Sequence, residues 1–155
     1  MQKTSVVSKG LSPRPPARRC ILIVDDHPLI RRGLTALINS EPDLVVCAEA
    51  ATPQAGLDAI ATSRPDLVIT DLSMGDGDDD GLSLINNIRS GYADLPILVL
   101  TIHDVPDYAR RAFSAGANGF VSKQELGEML LVAIRSVFKG EQYLSPKIES
   151  GLDRK

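Results

Sequence analysis

Short apolar runs alternate along this chain with segments whose apolar residues recur at helical spacing. Cys20-Ile-Leu-Ile-Val24 is a continuous apolar run, and Pro28 to Ser40 follows with Ile30, Leu34, Leu37 and Ile38 on one helical face. Pro28 suits a first helical turn, where its missing N–H costs nothing. The pattern then repeats. Leu44–Ala48 reads as a strand and Pro53–Ser63 as a helix with Leu57, Ile60 and Ala61 inward. Leu67–Ile69, ending at Asp71, precedes a helix over Gly81–Ser90 with Leu82, Ile85 and Ile88 inward. Pro96–Leu100, ending at Thr101, precedes a helix over Pro106–Ala115. Gly119–Ser122 precedes a helix over Glu125–Phe138 with Leu126, Leu130, Ala133, Ile134 and Val137 as its stripe. The strands are unbroken Val/Ile/Leu runs, as expected of a parallel sheet covered on both faces. The pattern predicts a doubly wound α/β domain over residues 20–140, with five strands and five helices.

Composition narrows the class. With 155 residues, 43% hydrophobic and 24% charged, the chain can bury a real core, and a collagen-like, disulfide-framework or wholly disordered chain is excluded. No uncharged apolar run approaches the roughly 18 residues of a membrane span. The net charge of −3 is uneven: residues 1–19 hold five basic groups and no acid, leaving twelve basic against twenty acidic residues in the rest. Residues 1–19, with Pro13, Pro15 and Pro16, read as a disordered basic tail; such an Arg-rich start also suits a transit peptide but lacks the apolar stretch of a secretory signal. An acidic body is a poor nucleic-acid binder by itself. Cys20 and Cys47 sit in apolar runs without CxxC spacing, as expected of buried free thiols in a reducing cytosol. Residues 141–155 are polar and read as a C-terminal tail or linker.

Functional crevices of open parallel sheets lie at the carboxyl ends of the strands. Here those ends carry Asp25-Asp26, Asp71, Thr101 and Ser122-Lys123. Each residue alone is an ordinary turn, cap or solvated group; all of them on one rim point to chemistry. Hard carboxylate oxygens favour Mg²⁺ or Ca²⁺, Lys and Thr can meet phosphoryl oxygens, and one carboxylate can serve as nucleophile.

The stretches Val24–Leu34 (VDDHPLIRRGL), Ile69–Met74 (ITDLSM), Ile97–Thr101 (ILVLT) and Ala115–Lys123 (AGANGFVSK) resemble the receiver domain of two-component response regulators, most like the branch with a LuxR-type helix-turn-helix output. The resemblance implies a flavodoxin-like five-stranded parallel sheet, (βα)5, of order 2-1-3-4-5. It implies Asp71 as phosphoacceptor, and Asp25, Asp26, Asp71 and the Ser73 backbone carbonyl as Mg²⁺ ligands. Lys123 would pair with the phosphoryl group, and Thr101 with Phe120 would form a conformational switch. Phe brings no hydroxyl to that position, so the switch would be one of packing alone. The implied protein is cytoplasmic and is not an enzyme beyond its own aspartyl phosphorylation and dephosphorylation. Its partners would be a sensor histidine kinase or phosphotransfer protein, and a phosphorylation-dependent homodimer. DNA would be reached only through an output domain absent from this chain, and no membrane is involved.

Other readings are weaker. A haloacid-dehalogenase-type enzyme needs a second Asp two residues after the nucleophile, where Ser73 stands. A flavin-binding site would set its phosphate against Asp25-Asp26. A phosphorylation-independent docking module would have no use for the full set Asp25, Asp26, Asp71, Thr101 and Lys123, whereas a stand-alone receiver acting through protein contacts would use it and stays open as the alternative to one that works through an output domain. The loop Gly75–Gly81 departs from the family: it lacks the usual Pro, is about two residues longer, and carries four extra acids. It fits the first half of an EF-hand calcium loop, but Asn87 stands at position twelve, where an acid is required. His27 and His103 follow strand ends and read as rim residues near the crevice.

Overall fold

The computed structural model describes residues 17–74, 80–102, 106–125, 127–146, 148 and 149. Its strands are β1 (Arg19–Val24), β2 (Leu44–Ala50), β3 (Leu67–Asp71), β4 (Ile97–Thr101), β5 (Gly119–Ser122) and β6 (Tyr143–Leu144). The helices are α1 (Pro28–Asn39), α2 (Pro53–Ser63), α3 (Asp80–Gly91), α4 (Pro106–Ala115) and α5 (Glu128–Phe138). All strands pair in parallel, in the order β2-β1-β3-β4-β5-β6. The expected 2-1-3-4-5 sheet is present, and a sixth strand extends it at the edge.

Alternation along each strand explains the unbroken apolar runs. Ile21 and Ile23 of β1, with Ile69, Leu98 and Val121, pack under Leu34 and Ile38 of α1 and Ala133, Ile134 and Val137 of α5. Leu22 and Val24, with Val68, Val99 and Phe120, pack under Ile60 of α2, Ile85 and Ile88 of α3, and Ala109 and Ala112 of α4. A strand covered on both faces can spare neither parity for polar residues. Burial of each large side chain stabilises the fold by about 1.5–3 kcal/mol.

Several sequence expectations are corrected. Ala61 of α2 is exposed; Gly56 takes the inward place, close enough to Val24 that a Cβ would lie 3.0 Å from its Cγ2. The last helix begins at Glu128, not Glu125, because Lys123–Glu125 forms a 3₁₀ turn and Gly127, at φ +91°, breaks the register. Leu126 lies outside the described residues. β6 falls inside the segment read as a tail: Tyr143 and Leu144 pair with Gly119 and Phe120, and Ile148 is wholly buried in the core. The ordered unit therefore continues past residue 140. Cys20 and Cys47 are free but only half-buried. The EF-hand reading fails, because helix α3 occupies Asp80–Gly91, where the second half of the calcium loop would have to run. The basic tail up to residue 16, loop residues 75–79 and His103 lie outside the described residues. No described helix is long and apolar enough to cross a membrane.

At the amino end of the sheet, Arg89 of α3 ties three connections together. It donates to the carbonyls of Gly116, Tyr92 and Leu95 and to Asn118 Oδ1, at 2.7–3.0 Å. Asn118 Oδ1 also accepts from the Ile97 N–H, so this cluster sets where β4 and β5 start.

Candidate phosphoacceptor site

Strand register brings the rim residues together. β1 ends at Val24, opposite Thr70, so Asp25 emerges beside Asp71 at the end of β3. Thr101 ends β4 directly opposite Ser122 of β5, and Lys123 follows. Asp25 and Asp71 are each 2% exposed, and Thr101 and Ser122 are fully buried. The Lys123 side chain is itself 5% exposed. Its Nζ bridges two carboxylates, 2.8 Å from Asp25 Oδ2 and 3.0 Å from Asp71 Oδ2. The other Asp71 oxygen, Oδ1, accepts from the Ser73 N–H at 3.2 Å.

Burial pushes the Asp71 carboxyl above its ordinary value. Lys123 and the Ser73 N–H pull it down, and the Asp25 charge adds a smaller push upward.

His27 is more central than its sequence position suggests. Its Nδ1 lies 2.7 Å from Asp25 Oδ1, 3.1 Å from Asp26 Oδ1 and 3.9 Å from Asp71 Oδ2. Ligand atoms of Asp25, Asp26, His27 and Asp71 all fall within 4.8 Å of one another. The signal was present in the sequence, since His27 directly follows the acidic pair, but only the fold shows which way the ring turns.

The donor set fits a hard divalent cation. Three carboxylates cluster around one histidine ring, and one ammonium meets only two of them, so negative charge is in excess; oxygen donors at this density suit Mg²⁺ or Ca²⁺ better than a soft metal. Ser73 sits at the rim, two residues beyond Asp71, half-buried. Phe120 has no exposed surface and packs in the core cluster that contains Ala109 and Ala112 of α4. The rim thus gathers Asp25, Asp71 and Lys123 in direct contact, with Asp26 meeting the His27 ring that Asp25 also holds, Thr101 in the neighbouring ladder and Phe120 in the core beneath.

Comparison with known proteins identifies the family. The family model described as the response regulator receiver domain matches residues 21–135. The oxygen regulatory protein NreC of Staphylococcus haemolyticus is 35% identical over 132 residues, covering 85% of this chain and 60% of that protein. The chain thus spans about three fifths of the length of the curated relatives it matches. A LuxR-family two-component response regulator from Aurantimonas sp. superposes with a TM-score of 0.84 at 32% identity, covering 89% of this chain and 97% of that one. The isolated receiver domain of RcsB from Salmonella enterica serovar Typhimurium, solved with a phosphomimetic, superposes at 0.78 with 27% identity over 86% of this chain and 97% of that one. With the family match over most of the folded core and the acidic rim it encloses, the chain belongs to the receiver domains of two-component response regulators, in the LuxR-family branch.

Proposed function

We propose that Asp71 accepts a phosphoryl group from the phosphohistidine of a sensor histidine kinase or phosphotransfer protein, and that the aspartyl phosphate switches the domain to control an output. The observation that carries this reading is the state of the Asp71 carboxylate: nearly buried, at the head of the sheet, with the Lys123 ammonium on one oxygen and the Ser73 N–H on the other. An Asp71 oxygen attacks phosphorus. The new O–P bond forms as the N–P bond of the phosphoimidazole breaks, and the imidazole leaves with the electron pair and takes a proton from solvent. Lys123 stays within reach of the transferred oxygens, and the Thr101 hydroxyl supplies a further donor. Asp25, Asp26, Asp71 and the Ser73 carbonyl would hold Mg²⁺, which when bound would neutralise charge on the phosphoryl oxygens. Hydrolysis of the acyl phosphate returns Asp71, so the chemistry is confined to the domain's own aspartate.

The phosphoryl group adds about two negative charges beside Thr101. It shifts populations only as far as one conformer binds that charge better. In this reading Thr101 moves toward the phosphoryl group and the Phe120 ring repacks beneath it. Because Phe has no hydroxyl, the signal reaches the surface of α4, β5 and α5 by packing alone. The output is transcription regulation, with a phosphorylation-dependent homodimer as the active form. RcsB, a relative at 27% identity, is solved in complex with DNA, which supports this assignment. The setting is the cytoplasm, where the kinase's phosphohistidine is presented.

The test is incubation with Mg²⁺ and acetyl phosphate followed by intact mass, with Asp71→Ala as control. A base-labile adduct of one phosphoryl group that requires both Mg²⁺ and Asp71 is expected. No adduct from either acetyl phosphate or a phosphohistidine donor, on folded protein, would replace this reading with that of a phosphorylation-independent docking module.

A further inference from the structure

The acidic pair sits on the short loop between β1 and α1, where the Asp25 carboxylate also accepts from the His27 N–H at 2.9 Å. Asp25 follows the last residue of β1, and its N–H continues the ladder by donating to the Ala50 carbonyl at 2.9 Å. Helix α1 starts two residues beyond the pair. His27 occupies the N-cap without a side-chain capping bond, and Pro28 supplies no N–H. The Asp25 carbonyl has run past the paired part of the sheet and needs a donor from elsewhere. Arg31, one turn into α1, supplies it: Nη1 donates to the Asp25 carbonyl at 2.5 Å. The Nε of the same guanidinium lies 3.3 Å from Glu49 Oε1 on β2, and the Thr35 hydroxyl holds the other Glu49 oxygen at 3.2 Å. The Arg31 side chain is 20% exposed, so the fork lies largely sheltered between helix and edge strand.

We infer that Arg31 is a positioning residue for the cation site: its guanidinium clamps the Asp25 backbone to Glu49 and so sets the direction in which Asp25 and Asp26 project their carboxylates. This rests on the proposed Mg²⁺-dependent role of that pair. A rigid fork suits the task because two donors of one planar group address two elements at once; a lysine ammonium on a flexible stem does not hold that geometry. Partners that orient ligands from outside a metal's own shell commonly change metal affinity by about 10–100-fold when removed.

The test is isothermal titration of Mg²⁺ alone into the wild-type chain and into Arg31→Ala, Arg31→Lys and Glu49→Gln, alongside the rate of acetyl-phosphate labelling at saturating Mg²⁺. Arg31→Ala is expected to raise the Mg²⁺ dissociation constant about tenfold, with the labelling rate at saturation within about twofold of wild type. Arg31→Lys and Glu49→Gln should fall between. An unchanged dissociation constant in Arg31→Ala overturns the inference. So does a loss of labelling rate at saturation with no change in affinity, the pattern of a purely structural role. Where Arg31→Ala does not melt cooperatively, the two conservative variants decide alone, and wild-type affinity in both overturns it. Wild-type protein that binds no Mg²⁺ would instead overturn the proposed function, so the two failures are distinct.

Discussion

Removing the Lys123 ammonium should expose how much charge the rim stores. Its Nζ lies 2.8 and 3.0 Å from oxygens of two carboxylates that are themselves nearly buried. At an effective dielectric of about 20, each contact is a gross attraction of about 6 kcal/mol. The cost of desolvating three charges and the repulsion between Asp25 and Asp71 offset most of that. Deleting one partner does not cancel these costs; it leaves the carboxylates buried and uncompensated, which typically costs 3–5 kcal/mol. Lys123→Ala in Mg²⁺-free buffer at neutral pH is therefore expected to lose about 3 kcal/mol of unfolding free energy. The melting temperature should fall by about 10 °C. The pH dependence has a definite sign. Asp71 is already raised by burial against the pull of Lys123, so without Lys123 it rises further. A carboxyl whose folded value exceeds its unfolded value opposes folding when ionised, and the penalty fades as pH falls through the folded value. The gap between variant and wild type should accordingly narrow from neutral pH toward about pH 4, and adding Asp71→Asn to Lys123→Ala should recover part of the loss. Urea unfolding at several pH values measures both effects. A wild-type midpoint at neutral pH, or a gap that stays constant with pH, would refute the claim that this ammonium holds the two charges.

Two further outcomes follow from local geometry. A Cβ on Gly81 would lie 2.4 Å from both the Asp71 carbonyl oxygen and the Leu72 Cα, and backbone cannot swing aside. Gly81→Ala should cost about 2 kcal/mol and slow labelling of Asp71, because the end of β3 must shift; urea unfolding and labelling rates check it, and a wild-type rate would count against it. The Cys20 thiol is pushed up to about 11 from 9.0, first by burial and then by the neighbouring Cys47. Its alkylation by iodoacetamide at neutral pH should be about tenfold slower than that of an ordinary thiol, because the thiolate is scarcer while its nucleophilicity rises with its pKa, and equal rates would contradict the burial argument.

Much of this architecture is written locally. A run such as Ile21-Leu-Ile-Val24 declares a strand with both faces buried, because alternate residues go to opposite layers and none is polar. Asp25, Asp71, Thr101 and Lys123 were legible as one rim because parallel strands must all end at the same edge. The two-residue strand Tyr143–Leu144 was not legible, since so short a segment carries no periodicity and is held by the neighbour it happens to meet. Ala61 has the right spacing for the inner face of α2, yet the helix sits rotated so that Gly56 approaches Val24.

The sequence by itself determined which elements form, their parity and the edge at which the chemistry collects, because these depend on residue type and spacing along one segment. Tertiary structure decided the rest. It determined that Lys123 bridges Asp25 and Asp71, that His27 turns toward three carboxylates, and that Arg31 reaches back to a backbone carbonyl while meeting Glu49. These contacts depend on side-chain direction and on unpaired main-chain groups, and both exist only once distant segments have packed.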